Sequence, residues 1–218
     1  MRALWVSLLL VLVGAPALAR HHANDTDSDS APGEFDYYLL SLSWSPAYCL
    51  IHPEDRSQCD RMGLGFVLHG LWPQDDSGGY PERCESGEEL SPEALTVGTT
   101  LYPTARLMRH EWQSHGTCSG LSAVEYFRTA DRALAALQIP AVFDAPDHVR
   151  SMSRAEIAAA FAAANPAMPA GALAIDCSRG QLSEVRLCLT RALAPRRCGH
   201  GIRGSCADGP ILIQSSRE

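Results

Sequence analysis

The sequence predicts one domain that mixes helices and strands, on three observations. The chain has 218 residues, 46% of them hydrophobic and 20% charged, which is ordinary for a globular protein and long enough to close one sizeable core. Short aliphatic and aromatic runs near both ends, bounded by Pro or Gly, read as strands. Between them apolar residues recur at the spacing of amphipathic helices. No internal repeat and no second domain is visible.

Taken in order, Arg2, the apolar run over 4–13 and Ala17-Leu18-Ala19 read as an export signal cleaved after Ala19. The run is short for a bilayer span, which needs about 20 residues; a buried first helix or a membrane anchor is the competing reading. Residues 20–34 are almost entirely polar and are expected to be a disordered tether, so that the folded domain covers 35–218. His21-His22 reads as polar tail rather than metal site, and Asn24-Asp25-Thr26 is a glycosylation sequon of low specificity.

The run from Phe35 to Trp44 predicts a buried strand stopped at Ser45-Pro46, followed by a polar, loop-like stretch over 49–59. A short strand over 65–69 places Phe66 and Leu68 on one face and Val67 and His69 on the other. Residues 74–90 read as a long loop, and Ser91-Pro92-Glu93 as the start of a short helical turn. Helices are predicted from about 103 into the 110–118 stretch, over 122–137, and from the capping-box spacing Ser153–Glu156 to about 164. Strands follow over 173–177, 182–190 and 211–214.

All 18 basic residues are Arg, and with 25 Asp and Glu the net charge is −7. That argues against a tight, non-specific nucleic-acid binder, whose affinity rests on neutralising phosphates. It is compatible with an enzyme that must release its product. Eight cysteines in an exported chain predict four disulfides, but 105 pairings are possible and sequence alone does not choose. Distribution favours Cys49–Cys59 and Cys188–Cys198 across two loops, Cys177–Cys206 around the second, and Cys84–Cys118 as the remainder. The competing zinc site lacks any close Cys-x-x-Cys pair.

Two stretches carry the chemistry and read as halves of one active site: Gly65-Phe66-Val67-Leu68-His69-Gly70-Leu71-Trp72-Pro73 and His110-Glu111-Trp112-Gln113-Ser114-His115-Gly116-Thr117-Cys118. Glu111 and His115, four apart, share a helix face. His110 and His115, five apart, would point about 140° apart on a helix. They miss the spacing of the zinc-protease motif, which makes a metal hydrolase the weaker reading. No Ser or Cys stands out as an activated nucleophile.

Two imidazoles and a carboxylate suit cleavage of RNA through its own 2′-hydroxyl. One imidazole takes the hydroxyl proton and the other protonates the departing 5′-oxygen. An ordinary imidazole pKa of about 6.5 serves both tasks and predicts a bell-shaped pH dependence. Trp72 is placed to stack a nucleobase. Any one of these histidines alone is as readily a hydrogen-bonded structural residue; their clustering with Glu111 and Trp72 points to chemistry.

Both stretches closely resemble the two catalytic segments of the ribonuclease T2 family, in the same order. Asp36-Tyr37-Tyr38-Leu39-Leu40-Ser41-Leu42-Ser43-Trp44-Ser45-Pro46 resembles that family's first strand. The likeness runs from about Phe35 to the C-terminus, more loosely after Leu137. It implies an α+β fold, with a central antiparallel sheet packed by several helices and stabilised by disulfides. The four bridges named above also look like the family's, Cys84–Cys118 most clearly. The implied activity is that of an endoribonuclease cleaving single-stranded RNA without a metal or other cofactor. It would give 2′,3′-cyclic phosphates, then 3′-phosphates, at mildly acidic pH. His115 would be the base toward the 2′-hydroxyl and His69 the acid. Glu111 would assist the pentacoordinate phosphorus, by hydrogen bonding or by holding His115. His110 would bind the phosphate and Trp72 a nucleobase. The implied partner is RNA with little sequence specificity, with no DNA and no membrane partner after signal removal. A monomer, secreted or periplasmic and of bacterial origin, is expected.

Two readings compete: a catalytically weak RNA- or partner-binding protein on the same fold, and a disulfide-stapled extracellular binding module. The first gains from one departure, since the family usually has Lys just before the second catalytic His and this chain has Ser114. Losing one electrostatic contact to a transition state can cost about 2.7–4 kcal/mol. If Ser114 is merely a missing cation, Ser114→Lys leaves RNA cleavage equal or faster; a large loss of kcat in that variant contradicts this.

Overall fold

The computed structural model describes residues 31–216 apart from 62 and 145; the expected export signal over 1–19 and the tether as far as residue 30 lie outside the described residues. The strand β1 (Tyr37–Trp44) is the spine. It carries nothing larger than Ser among its polar residues, so it can be buried on both faces. Pro46 sits in the first turn of the helix α1 (Ser45–Ile51), where its missing N–H costs nothing. The stretch expected to be loop-like thus holds α1 and the single turn α2 (Arg56–Cys59), joined by the Cys49–Cys59 bridge.

β2 (Phe66–Gln74) is longer than the sequence pattern predicts, running on through Gly70 and Pro73. Proline is tolerated because β2 is the edge of the sheet, whose order is β2-β1-β5-β6-β3. Then come the helices α3 (Pro92–Leu101), α4 (Ala105–Ser114) and α5 (Ala123–Ala136), opened by Ser91, Thr104 and Ser122, whose hydroxyls accept backbone N–H groups of the first turn. α3, expected to be a turn, is a full helix of 10 residues. β3 (Arg150–Ser153), which the sequence pattern does not announce, leads into α6 (Arg154–Ala164) through a complete Ser153–Glu156 capping box. β4 (Leu173–Ser178), β5 (Gln181–Thr190) and β6 (Pro210–Ile213) close the chain.

β2, β1, β5 and β4 pair antiparallel; β6 joins β5 in parallel at Gln181–Leu212, and β3 pairs antiparallel with β6. One sheet face packs with the helices into a core that includes Tyr38, Leu40, Leu42, Trp44, Leu68 and Leu71 from the sheet and Met108, Trp112, Tyr126 and Phe127 from α4 and α5. The other face is apolar at one end only, where Tyr37, Leu39 and Cys188 cluster with Trp72 and Ile202. At its other end β1 presents Ser41 and Ser43, which leave room for larger polar groups from the neighbouring strands.

One irregularity positions the site. Ser41 pairs with Gly70 and Leu42 with Leu68, so His69 is an extra residue bulged out of β2. The bulge shifts the alternation by one. Leu68 and Leu71 therefore both enter the core, while His69 and Trp72 both belong to the opposite face.

All eight cysteines are paired, as Cys49–Cys59, Cys84–Cys118, Cys177–Cys206 and Cys188–Cys198. Cys84–Cys118 joins the long loop after β2 to the turn after α4, beside which the Arg83 N–H donates to the Ser114 carbonyl at 2.8 Å. Replacing both Cys84 and Cys118 by Ser is expected to lower unfolding free energy by about 2–5 kcal/mol, measured by urea denaturation of the oxidised proteins.

Candidate active site

Three elements bring the site together. β2 contributes His69 and Trp72, α4 contributes Glu111 and, at its C-terminal cap, His115, and β5 contributes Glu184 and Arg186. Glu111 has only 1% of its surface exposed. The Trp72 indole N–H donates to Glu111 Oε2 at 2.6 Å, and His69 Nε2 lies 3.8 Å from Oε1. Gly70 explains how the carboxylate gets there, since a Cβ at that position would overlap both the Glu111 carboxylate and the Trp72 indole.

The two imidazoles flank the indole. The Trp72 ring centre is 5.0 Å from that of His69 and 5.2 Å from that of His115. His69 Nδ1 is 2.8 Å from Glu184 Oε2, and Ser43 Oγ donates to the same oxygen at 3.5 Å. Arg186 stands beside Glu184, 3.7 Å away, and is anchored by Asp176 at 2.7 Å. His115, in contrast, has a buried Nδ1 with no hydrogen-bond partner. The Glu111 carboxylate is thus held by Trp72 and lies near His69; what reaches His115 from Glu111 is the backbone carbonyl.

These surroundings pull the histidines in opposite directions. Burial lowers the His69 pKa, but the hydrogen bond and charge of Glu184, helped by Glu111, outweigh it, and the net shift is upward. Burial, with the positive charges of His110 and His69, pushes His115 down to about 4. Glu111 goes the other way: burial raises it to about 7, against the lowering effects of His69 and the Trp72 N–H. Glu184 stays below the usual carboxylate value because, although burial raises it, the His69 hydrogen bond and charge win.

Two clefts open on the site. One, of about 410 Å³, is lined by Trp72, His115, Tyr80, Arg186, His200 and Ile202. Tyr80 is half exposed at its mouth, its ring 6.0 Å from that of His115. The other, of about 730 Å³, is lined by His69, His110, Tyr48, His52, Asp55 and Leu107. His110 is therefore exposed in the cleft that His69 faces, apart from the one lined by His115. Ser114 is buried at the end of α4. Arg186, on another element, brings a cation to the cleft that His115 lines. Glu184 and Arg186 are the residues sequence reasoning missed. Their signal was the alternation Glu184-Val185-Arg186-Leu187, which gives β5 one polar and one apolar face.

Comparison with known proteins converges on one family. The model of the ribonuclease T2 family matches residues 35–198. A ribonuclease of Aeromonas hydrophila is 48% identical over 122 residues, 56% of this chain and 55% of that protein, so the chain spans about half of that relative's length. An RNase-related protein from Calystegia sepium shares the fold with a TM-score of 0.67 at 22% identity, over 84% of this chain and 97% of that one. RNase NT, solved in complex with 5′-AMP, superposes with a TM-score of 0.64 at 21% identity, over 84% of this chain and 99% of that one.

Gly70→Ala should displace the Trp72–Glu111 pair without emptying the core. If the site turns over RNA, kcat is expected to fall about 10²-fold or more, the scale set by misplacing a reacting group by an ångström, while far-UV circular dichroism is unchanged. Near-normal turnover in this variant would mean that the indole–carboxylate contact is not needed.

Proposed function

The chain belongs to the ribonuclease T2 family, and from that premise we propose that it is an endoribonuclease acting on single-stranded RNA. The proposed reaction uses the substrate's own 2′-hydroxyl and no metal. The observation that carries this is the pair of imidazoles flanking Trp72 with opposite pKa shifts.

His115, neutral above about pH 4, takes the 2′-hydroxyl proton. The 2′-oxygen then bonds to phosphorus and the bond to the 5′-oxygen breaks. His69, kept protonated by Glu184 at its Nδ1, gives its Nε2 proton to that leaving oxygen. A 2′,3′-cyclic phosphate results, and the reverse traffic of protons lets water open it to a 3′-phosphate. Glu111, raised to about 7, is protonated at mildly acidic pH and can donate to a phosphoryl oxygen as negative charge builds there. Of the two roles considered for Glu111, hydrogen bonding to the phosphorane fits the geometry better than holding His115. Arg186 adds positive charge at the cleft wall, where Ser114 offers none, and His110 is available to a phosphate on the His69 side. Trp72 and Tyr80 offer ring faces to a nucleobase. DNA, lacking the 2′-hydroxyl, is not a substrate of this mechanism. Four disulfides and the N-terminal apolar run support export to the periplasm or medium.

The test is cleavage of RNA between pH 3 and 9 in excess EDTA, with the product ends identified. Cyclic phosphate ends are expected, lost by about 10²–10⁴-fold in His69→Ala and in His115→Ala. kcat/KM should fall as pH drops through about 4, where His115 becomes protonated, and again as pH rises through about 7, where Glu111 loses its proton, and past the raised pKa of His69. Glu184→Gln should move the upper limb to lower pH and leave the lower limb in place. Folded protein that yields no cyclic ends overturns the reading.

A further inference from the structure

The chain carries a net charge of −7, yet between Val185 and Ala207 it has five arginines and no Asp or Glu. Three of the five are committed. Arg186 is held by Asp176, Arg196 by Asp76, and Arg191 by the carbonyls of Gly33 and Phe35 with its guanidinium over the Phe35 ring. Arg197 and Arg203 are exposed, and among the described residues neither side chain has an ion-pair or hydrogen-bond partner.

These two cations frame a loop that is fixed at several points. Cys188–Cys198 closes its root and Cys177–Cys206 its exit. Arg186 donates to the Arg203 carbonyl at 3.0 Å, and the His200 N–H donates to the Asp76 carbonyl at 3.0 Å. Between the cations, His200, Gly201 and Ile202 form one wall of the cleft that His115 lines. The family match ends at residue 198, so this wall lies beyond it. A rigid surface with unpaired positive charge beside an acidic protein's cleft focuses field where a polyanion must enter. It also costs little ordering on binding.

We propose that the loop over 197–203 is a docking strip for RNA phosphates on the 5′ side of the cut, outside the nucleotides that react. This rests on the assignment of His115 as base toward the 2′-hydroxyl. The nucleotide bearing that hydroxyl then occupies the His115 cleft, and the strand continues in the 5′ direction across His200 toward Arg203 and Arg197.

The test compares a dinucleotide substrate with the same dinucleotide carrying six extra nucleotides on its 5′ or on its 3′ side. The 5′ extension should raise kcat/KM about threefold to tenfold, the scale of two exposed ion pairs. The double substitution Arg197→Ser and Arg203→Ser should abolish that gain and leave the dinucleotide rate unchanged. It should also reduce the slope of log(kcat/KM) against log[salt] by about 1.4, two phosphate contacts on a single strand. The Lys-for-Arg double substitution should retain the gain. Binding of 2′-O-methyl versions of the extended substrates, which lack the nucleophile, is measured in parallel, so the strip is judged even if the wild type proves not to cleave. A 5′ gain equal in the Ser variant and the wild type, in both rate and binding, overturns the proposal, as does a gain from 3′ extension alone.

Discussion

A carboxylate with 1% of its surface exposed must find partners inside the protein or give up its charge, because an unpaired buried charge costs several kcal/mol. Glu111 does some of each: the Trp72 indole N–H meets it at 2.6 Å, and its pKa still rises to about 7. Everything else in the site is arranged around that contact. The indole reaches Glu111 only because Trp72 is on the sheet face opposite the core, and it is there only because His69 bulges out of β2. The carboxylate fits only because residue 70 has no Cβ. Strict alternation would send Trp72 into the core and Leu71 into the cleft, so one extra residue in an edge strand brings His69, Trp72 and Glu111 together.

The same contact sets the electrostatics. The indole engages the Glu111 carboxylate, and the His115 side chain keeps a buried, unpartnered Nδ1. A cationic imidazole needs both of its N–H groups solvated or bonded, so His115 resists protonation. His69 has the opposite surroundings, with Glu184 at one nitrogen and Glu111 near the other. Two chemically identical side chains thereby become unlike, with a neutral one and a charged one available at the same pH. That division is what acid–base catalysis by two groups requires. Arg186, tied down by Asp176, helps keep Glu184 ionised while its own charge holds back the rise of the His69 pKa.

Much of this was legible in the residues. The local signals were strong where they coincided. Ser153 and Glu156 announced α6, Pro46 ended β1, and the clustering of His69, Trp72, Glu111 and His115 in two stretches announced chemistry. What could not be read was long-range or depended on register. A bulge leaves no mark on composition, so β2 looked like a strand ending at His69, when in fact it continues past it. α3 looked like a turn because Gly98 and its threonines are poor helix formers; close packing of Gly98 against Met108 and Phe127, with Ala94 buried in the same core, decides the matter. Glu184 stands 115 residues from its partner His69. In sequence it is only an acid on the polar side of a strand, and no spacing rule connects the two. The departure at Ser114 was plain to see, but the cation at the cleft was not, because Arg186 comes to it from a different strand.

The disulfides bear on the same question of what must be rigid. Cys84–Cys118 fixes the end of α4, and with it His115, to the loop that carries Tyr80, so the cleft keeps its shape beside that imidazole. Cys188–Cys198 and Cys177–Cys206 do the same for the opposite wall. Neither bridge touches a reacting atom. Their value lies in holding both walls of an open, polar cleft that has too little apolar surface to hold itself. Among the described residues the apolar cluster on the sheet's far face is small, built on Tyr37, Leu39 and Cys188, against the extensive core on the helix side. Three of the four bridges brace the walls of this cleft, which lets the face stay polar and accessible without loosening the side chains gathered on it.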